Sequence, residues 1–288
     1  MDVDPGPDAR DFTGGTATYD GHKGTDFRVL SVAAARKGVS VLSSADGVVK
    51  GVRDGMEDAF VTEATRAAIA GRECGNGVVL DHGSGWETQY CHMLKGSVAV
   101  KSGDKVSRGQ KLGDVGYSGF VQFAHVHLEV RKDGKLIDPY SGRLQSEACQ
   151  AQSQDGPGLW DAAAWKAFAY ANGEILGVGF IGDPKLTETL EDDSSPAAPD
   201  RKSPALVFYA RAANLRAGDR LKFHVEGPGG FLVETLSEPL DRAKATYRGI
   251  AGKRLTAAEW PAGTYRGTIA VLRAGATLVE RQSELELK

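Results

Sequence analysis

In Ala124-His125-Val126-His127-Leu128-Glu129-Val130, apolar and β-branched residues alternate with polar ones. Such a segment reads as a strand, and side chains two positions apart on a strand share a face, so His125 and His127 point the same way. The fold must therefore contain a sheet that carries two imidazoles side by side. A second cluster, His22-Lys23-Gly24-Thr25-Asp26, lies far upstream, between Gly21 and the strand-like Phe27-Arg28-Val29-Leu30-Ser31-Val32. Its glycines bracket a loop that runs into a strand. Together, His22, Asp26, His125 and His127 offer a metal site, of which three side chains are enough. Catalytic zinc takes three ligands from His and Asp/Glu and keeps one position for water, whereas structural zinc closes with four, mostly thiolates. His92, in Tyr90-Cys91-His92-Met93, is a further candidate acid or base. H-E-x-x-H occurs nowhere, which excludes the helix-borne arrangement in which Glu is the base.

A lone histidine is more often a hydrogen-bonded structural residue than a ligand, and neither cluster is specific by itself. The joint pattern is specific, because four of the six histidines in the chain fall within it. Its order and spacing resemble the lysostaphin/LytM-type zinc endopeptidases. The elements that carry the likeness are His22-x-x-x-Asp26, a Gly-Val-Val run with a Gly-rich turn, Tyr90-x-His92, Gly103-Asp-x-Val106-x-x-Gly109-Gln-x-Leu-Gly113, Gly116-x-Ser118-Gly119 and His125-x-His127-Leu128-Glu129-Val130. They run over roughly residues 15–140. The resemblance implies that His22, Asp26 and His127 hold one Zn2+ per chain and that His92 and His125 are catalytic histidines outside the ligand set. It also implies peptide stems of bacterial peptidoglycan as substrate and an extracytoplasmic location, periplasmic or secreted. Phe123-Ala124 stands where many relatives have Gly-Pro, and Val126 where Leu is usual; these departures touch the groove wall and leave the ligands alone. With such a ligand set, zinc-bound water has a pKa near neutrality and no carboxylate base is obligatory, so His92 and His125 can share the proton transfers.

Composition is compatible with this reading. The chain has 288 residues, 41% of them hydrophobic, and a formal net charge of −3. That suits a core in one or two domains and offers no basic tract for nucleic acid. No apolar run is long enough to span a membrane, and Met1-Asp-Val-Asp-Pro lacks the core of an export signal, so it reads as the start of a mature protein. The run from Gly77 to Tyr90 reads as a hairpin turning near His82 to Gly85, which brings Cys74 opposite Cys91. A disulfide there is expected to brace the strand from behind, facing away from His92, with Cys149 unpaired. His82 and His224 are expected to be structural. Met56 to Ala70, with good helix formers, is expected to be a short helical insertion and a surface decoration, the sharper alternative being a wall or lid over the groove.

Gln150 to Gly158 is a polar, Gly/Pro-containing stretch and a natural boundary, giving an endopeptidase domain over 1–153 and an accessory domain over 154–288. The second opens on a short helix near Leu159 to Tyr170. Strand-like runs follow at Glu174–Ile181, Ala205–Ala210, Arg220–Glu226, Phe231–Leu236, Lys244–Ile250, Gly263–Leu272 and Thr277–Leu287, the pattern of an immunoglobulin-like β-sandwich. Glu191 to Asp200 is expected to be an exposed loop. The sandwich shows no site chemistry and is a candidate for binding a protein partner. The fold class is thus mainly β. Two other functions compete with a peptidoglycan endopeptidase: a non-catalytic wall-binding or regulatory module, and a secreted peptidase of Gly-rich proteins.

Overall fold

The computed structural model describes residues 1–148, 157–168, 170, 172–192 and 196–288. These form two compact units, Met1–Ala169 and Tyr170–Lys288. No helix among the described residues is long and apolar enough to cross a membrane.

In the first unit the strands are β1 Thr25–Arg28, β2 Ser40–Leu42, β3 Gly47–Arg53, β4 Asn76–Gly83, β5 Trp86–Met93, β6 Lys105–Val106, β7 Lys111–Asp114, β8 His125–Lys132 and β9 Lys135–Ile137. Seven of them make one sheet in the order β1-β8-β5-β4-β3-β6, with β9 also on β8, and β2 pairs with β7. All pairings are antiparallel. One face carries Val49, Val78, Leu80, Tyr90, Leu128 and Val130, which form the core with Met93 and Leu112. The opposite face of β8 carries His125, His127, Glu129 and Arg131, as strand alternation requires. β4 and β5 form the expected hairpin. His82 lies within β4 and is structural: its ring bonds the Asp46 carbonyl at 2.7 Å and the Thr88 hydroxyl at 2.7 Å.

Helices are few and short: α1 Val32–Arg36, α2 Glu63–Arg66, α3 Gln145–Ala148 and α4 Ala162–Ala167. The expected insertion helix is confined to α2 and a 3-10 turn at Ala67–Ile69. The residues ahead of it are irregular because they serve the neighbouring loops: the Asp58 carboxylate accepts the Tyr117 N–H at 2.9 Å and the Lys95 N–H at 2.8 Å. Asp58 thus buttresses residues 116–118, while Thr65 to Ala70 lie mostly at the surface, as expected of a decoration. The helix expected to lead the second domain, α4, packs instead inside the first unit. Phe168 and Trp160 meet Phe27 edge-on at ring distances of 4.7 and 6.0 Å, and Trp160 also meets Tyr140 at 5.7 Å.

The second unit has β10 Glu174–Ile181, β11 Ala205–Leu215, β12 Arg220–Gly227, β13 Phe231–Leu236, β14 Lys244–Arg254, β15 Gly263–Arg273 and β16 Ala276–Leu287. Sheets β10-β11-β14 and β13-β12-β15-β16 share one core that includes Phe180, Phe208, Phe223, Tyr265 and Ile269, so the unit is a β-sandwich. A constant-type immunoglobulin domain puts its fourth strand on the other sheet; here the fourth, β13, pairs with β12. Tyr265, near the start of the sixth strand, donates its hydroxyl to the Pro261 carbonyl at 3.0 Å, a corner contact typical of such sandwiches. At Gly267 a Cβ would stand 2.3 Å from the Phe208 ring, so the missing side chain makes the notch that this fully buried ring fills. Strands β11 and β14 outrun their sequence signals into Ala-, Gly- and Arg-containing ends. Glu191 is not simply exposed, since its carboxylate accepts from the buried Arg211 at 3.0 Å. His224 is a surface strand residue 3.0 Å from Glu234.

Candidate metal centre and active site

β1 is a four-residue edge strand whose register with β8 sets Asp26 opposite His127 and Arg28 opposite His125. Directly opposed residues share a face, which joins the two sequence clusters. The loop that brings in His22 passes so close to β8 that a Cβ on Gly24 would lie 2.4 Å from the Leu128 carbonyl oxygen and 2.7 Å from His127 Nε2. Only glycine fits this approach.

Three donor atoms converge. His22 Nε2 is 3.1 Å from Asp26 Oδ1 and 3.1 Å from His127 Nδ1, and His127 Nδ1 is 2.8 Å from Asp26 Oδ1. Ligand bonds of about 2.0–2.1 Å in a tetrahedron would set donors roughly 3.3 Å apart, so this set fits zinc with a slight expansion. The electrostatics agree. Two ring nitrogens facing each other at 3.1 Å need a proton or a cation between them. Burial opposes the charge on Asp26, but hydrogen bonds from His127 and His22 hold its carboxyl well below the usual range. Burial likewise opposes protonation of His127, yet Asp26 and Glu129 outweigh it and push its pKa up to about 9. For His22 burial wins and the pKa falls. A cation at these three atoms would stand where the proton is held.

His92 and His125 lie beside this triad without joining it. His125 Nδ1–H donates to the Phe123 carbonyl at 2.9 Å and His92 Nδ1–H to the Ser118 carbonyl at 2.8 Å. A carbonyl only accepts, so each ring keeps an unprotonated Nε2. The two rings are 4.7 Å apart, and His125 Nε2 is 3.5 Å from Asp26 Oδ1. Burial first, then the nearby His125 and His127, lowers the His92 pKa to about 3; burial also lowers that of His125. Ser118 is itself held, since its hydroxyl donates to the Met93 carbonyl at 2.8 Å and accepts the Asn76 N–H at 2.9 Å.

The disulfide Cys74–Cys91 is present, but on the other face from the one expected. Cys91 pairs directly with His127, so both side chains lie on the site face. His92 reaches the same cluster because its φ of +64° breaks the strand alternation on which the expectation rested. Cys149 lies outside the described residues.

Two further residues bear on the site, and the sequence reading assigned neither a role. Glu129 Oε1 is 3.5 Å from His127 Nε2, the ring nitrogen turned away from the triad, and its other oxygen pairs with Arg131. Carboxylates in this position commonly orient a metal-bound histidine. Glu129 was findable, because alternation puts it on the face of His127. The Tyr19 ring stacks on His22 at 4.2 Å and 19°. No spacing rule pointed to it.

Residues 20–139 match peptidase family M23. Over 123 residues the chain is 35% identical to the peptidoglycan DD-endopeptidase ShyA of Vibrio cholerae, a match that covers 43% of this chain and 23% of that protein. It is 31% identical over 125 residues to the DD-carboxypeptidase/endopeptidase Mpg of Neisseria meningitidis, covering 43% and 23%. The chain thus spans less than a quarter of the length of either relative. Among solved structures, a zinc-containing peptidase from Vibrio cholerae is 29% identical over 46% of this chain and 33% of that one, with a TM-score of 0.33. The residues that match family M23 include His22, Asp26, His92, His125 and His127.

Proposed function

We propose that the protein is a zinc-dependent endopeptidase that hydrolyses peptide cross-links of bacterial peptidoglycan outside the cytoplasm. The observation that carries this reading is the convergence of His22 Nε2, Asp26 Oδ1 and His127 Nδ1 beside two histidines locked with Nε2 free. Zinc bound by the three would supply an acidified water and a polarised scissile carbonyl. The chain's own residues manage the protons. His125 Nε2 takes the proton of the attacking water, and its imidazolium is stabilised by Asp26 at 3.5 Å. The same ring then returns that proton to the leaving amine. His92 stays neutral, and its Nε2 accepts a hydrogen bond that orients water or substrate. Peptidoglycan as the substrate is supported by the names of the relatives, which are peptidoglycan-directed or DD-endopeptidases.

The test is digestion of purified sacculi by the full chain, with muropeptides read by mass spectrometry. Release of cross-link cleavage products that stops on chelation and returns with zinc is expected. Sacculi left intact while a Gly-rich peptide is cut would replace this substrate, and zinc-independent binding without cleavage would replace the enzyme.

A further inference from the structure

The strand that carries Asp26 is short and weakly held: four residues long, at the edge of its sheet, paired on one side only. Two segments that flank the M23 match close around it. On the N-terminal side, Asp2 is a buried hub. Its carboxylate accepts the N–H of Gly21 at 2.9 Å and those of Asp4 and Arg10 at 3.1 Å, and its own N–H donates to the His22 carbonyl at 2.7 Å. This hub holds the turn that presents His22. On the other side, Phe168 and Trp160 pack on Phe27, the neighbour of Asp26. The two segments are joined to each other. Phe12 stacks on Tyr140 at 4.6 Å and 5°, Tyr140 meets Trp160 and Trp165, and Gln145 Nε2 donates to the Asp2 carbonyl at 2.6 Å.

We propose that residues 1–19 and 157–168 are part of the metal centre's support, with Asp2 and Phe168 as positioning residues that hold His22 and β1 at ligand distance. This rests on the ligand assignment made above. The physical reason is entropic: a short edge strand and a glycine-flanked loop lose pre-organisation unless something outside the sheet restrains them, and metal affinity suffers when ligands must be ordered on binding. Phe27 has nothing to do with chemistry, yet its packing sets the position of the residue before it.

The test uses the full chain and two readouts: zinc affinity by chelator competition, and hydrogen exchange of the Thr25–Arg28 amides in metal-free protein. Phe168→Ala and Asp2→Ala are each expected to weaken zinc binding about tenfold or more and to speed exchange in β1. Phe168→Tyr is expected to restore both. Val106→Ala, a core truncation at the opposite end of the sheet, controls for general loss of stability and is expected to change neither. Unchanged zinc affinity and unchanged β1 exchange in both alanine variants would overturn the proposal. A wild-type chain that binds no zinc would overturn the ligand assignment instead, and β1 exchange would still decide whether the brace exists.

Discussion

Among the described residues, every buried polar or charged side chain except Arg211 and Asp219 belongs to the first unit. In the sandwich those two are ion-paired, Arg211 with Glu191 at 3.0 Å and Asp219 with Arg273 at 2.7 Å, and the rest of the interior is aliphatic and aromatic. In the first unit, His22, His92, His125, His127 and Glu129 are buried against one another. Grouping polar groups away from water costs free energy unless they are satisfied, and here burial lowers the basicity of His22, His92 and His125 while Asp26 and Glu129 raise that of His127. One antiparallel unit therefore uses its interior for stability, while the other gives up part of its interior to a cluster of titratable side chains.

That contrast can be broken most directly at Asp26. Asp26→Ala removes the charge on which both proposed ligand histidines, His22 and His127, lean, so zinc content and cleavage should fall to background while the sandwich unfolds as before; elemental analysis showing full zinc occupancy would end the assignment. Next come the two histidines outside the triad. His125→Ala and His92→Ala should retain most of the zinc and lose about 10²–10⁴ in kcat, and loss of metal in either variant would move that residue into the ligand shell. In the sandwich the expected effect is on stability alone: Phe208→Ala should cost about 3–5 kcal/mol in unfolding of the second unit, with cleavage of a small soluble peptide unchanged. A fall in peptide cleavage there would mean that the units are not functionally separate.

The smallest effect concerns acid. Burial raises the Asp219 carboxyl, but hydrogen bonding and charge from Arg273 outweigh that and leave it below its ordinary value. A group depressed on folding contributes stability above its unfolded pKa, about 3.9, and loses it as pH falls through the folded value. The sandwich transition should therefore drop in midpoint below about pH 4, and Asp219→Asn should flatten that dependence. A wild-type midpoint independent of pH over this range would show that the pair adds nothing.

Alternation made much of this legible. It placed His125 and His127 on one face and located all seven sandwich strands, two of them, β10 and β13, with the bounds later observed. Alternation also misled where the backbone left it. The positive φ of His92 is invisible in Tyr-Cys-His-Met, so the disulfide was expected on the wrong face. Composition suggested a helix over Met56 to Ala70, but hydrogen bonds that Asp58 accepts from distant loops outweigh helix propensity there. The polar run after Gln150 looked like a boundary, whereas aromatic contacts carry the chain on to Phe168 within the first unit. Long-range packing has no local signature.

The ring of Phe208 in the notch at Gly267 has a consequence for the environments the chain can tolerate. Antibody-type sandwiches fasten their sheets at this level with a cystine. Here the fastening is a hydrocarbon surface, and the sandwich contains no cysteine at all. A thiol reductant therefore has no target in that half. In the other half it meets Cys74–Cys91, directly across the ladder from His127, where closing the loop is worth about 3 kcal/mol. The same change of surroundings that leaves one unit indifferent loosens the other next to His127.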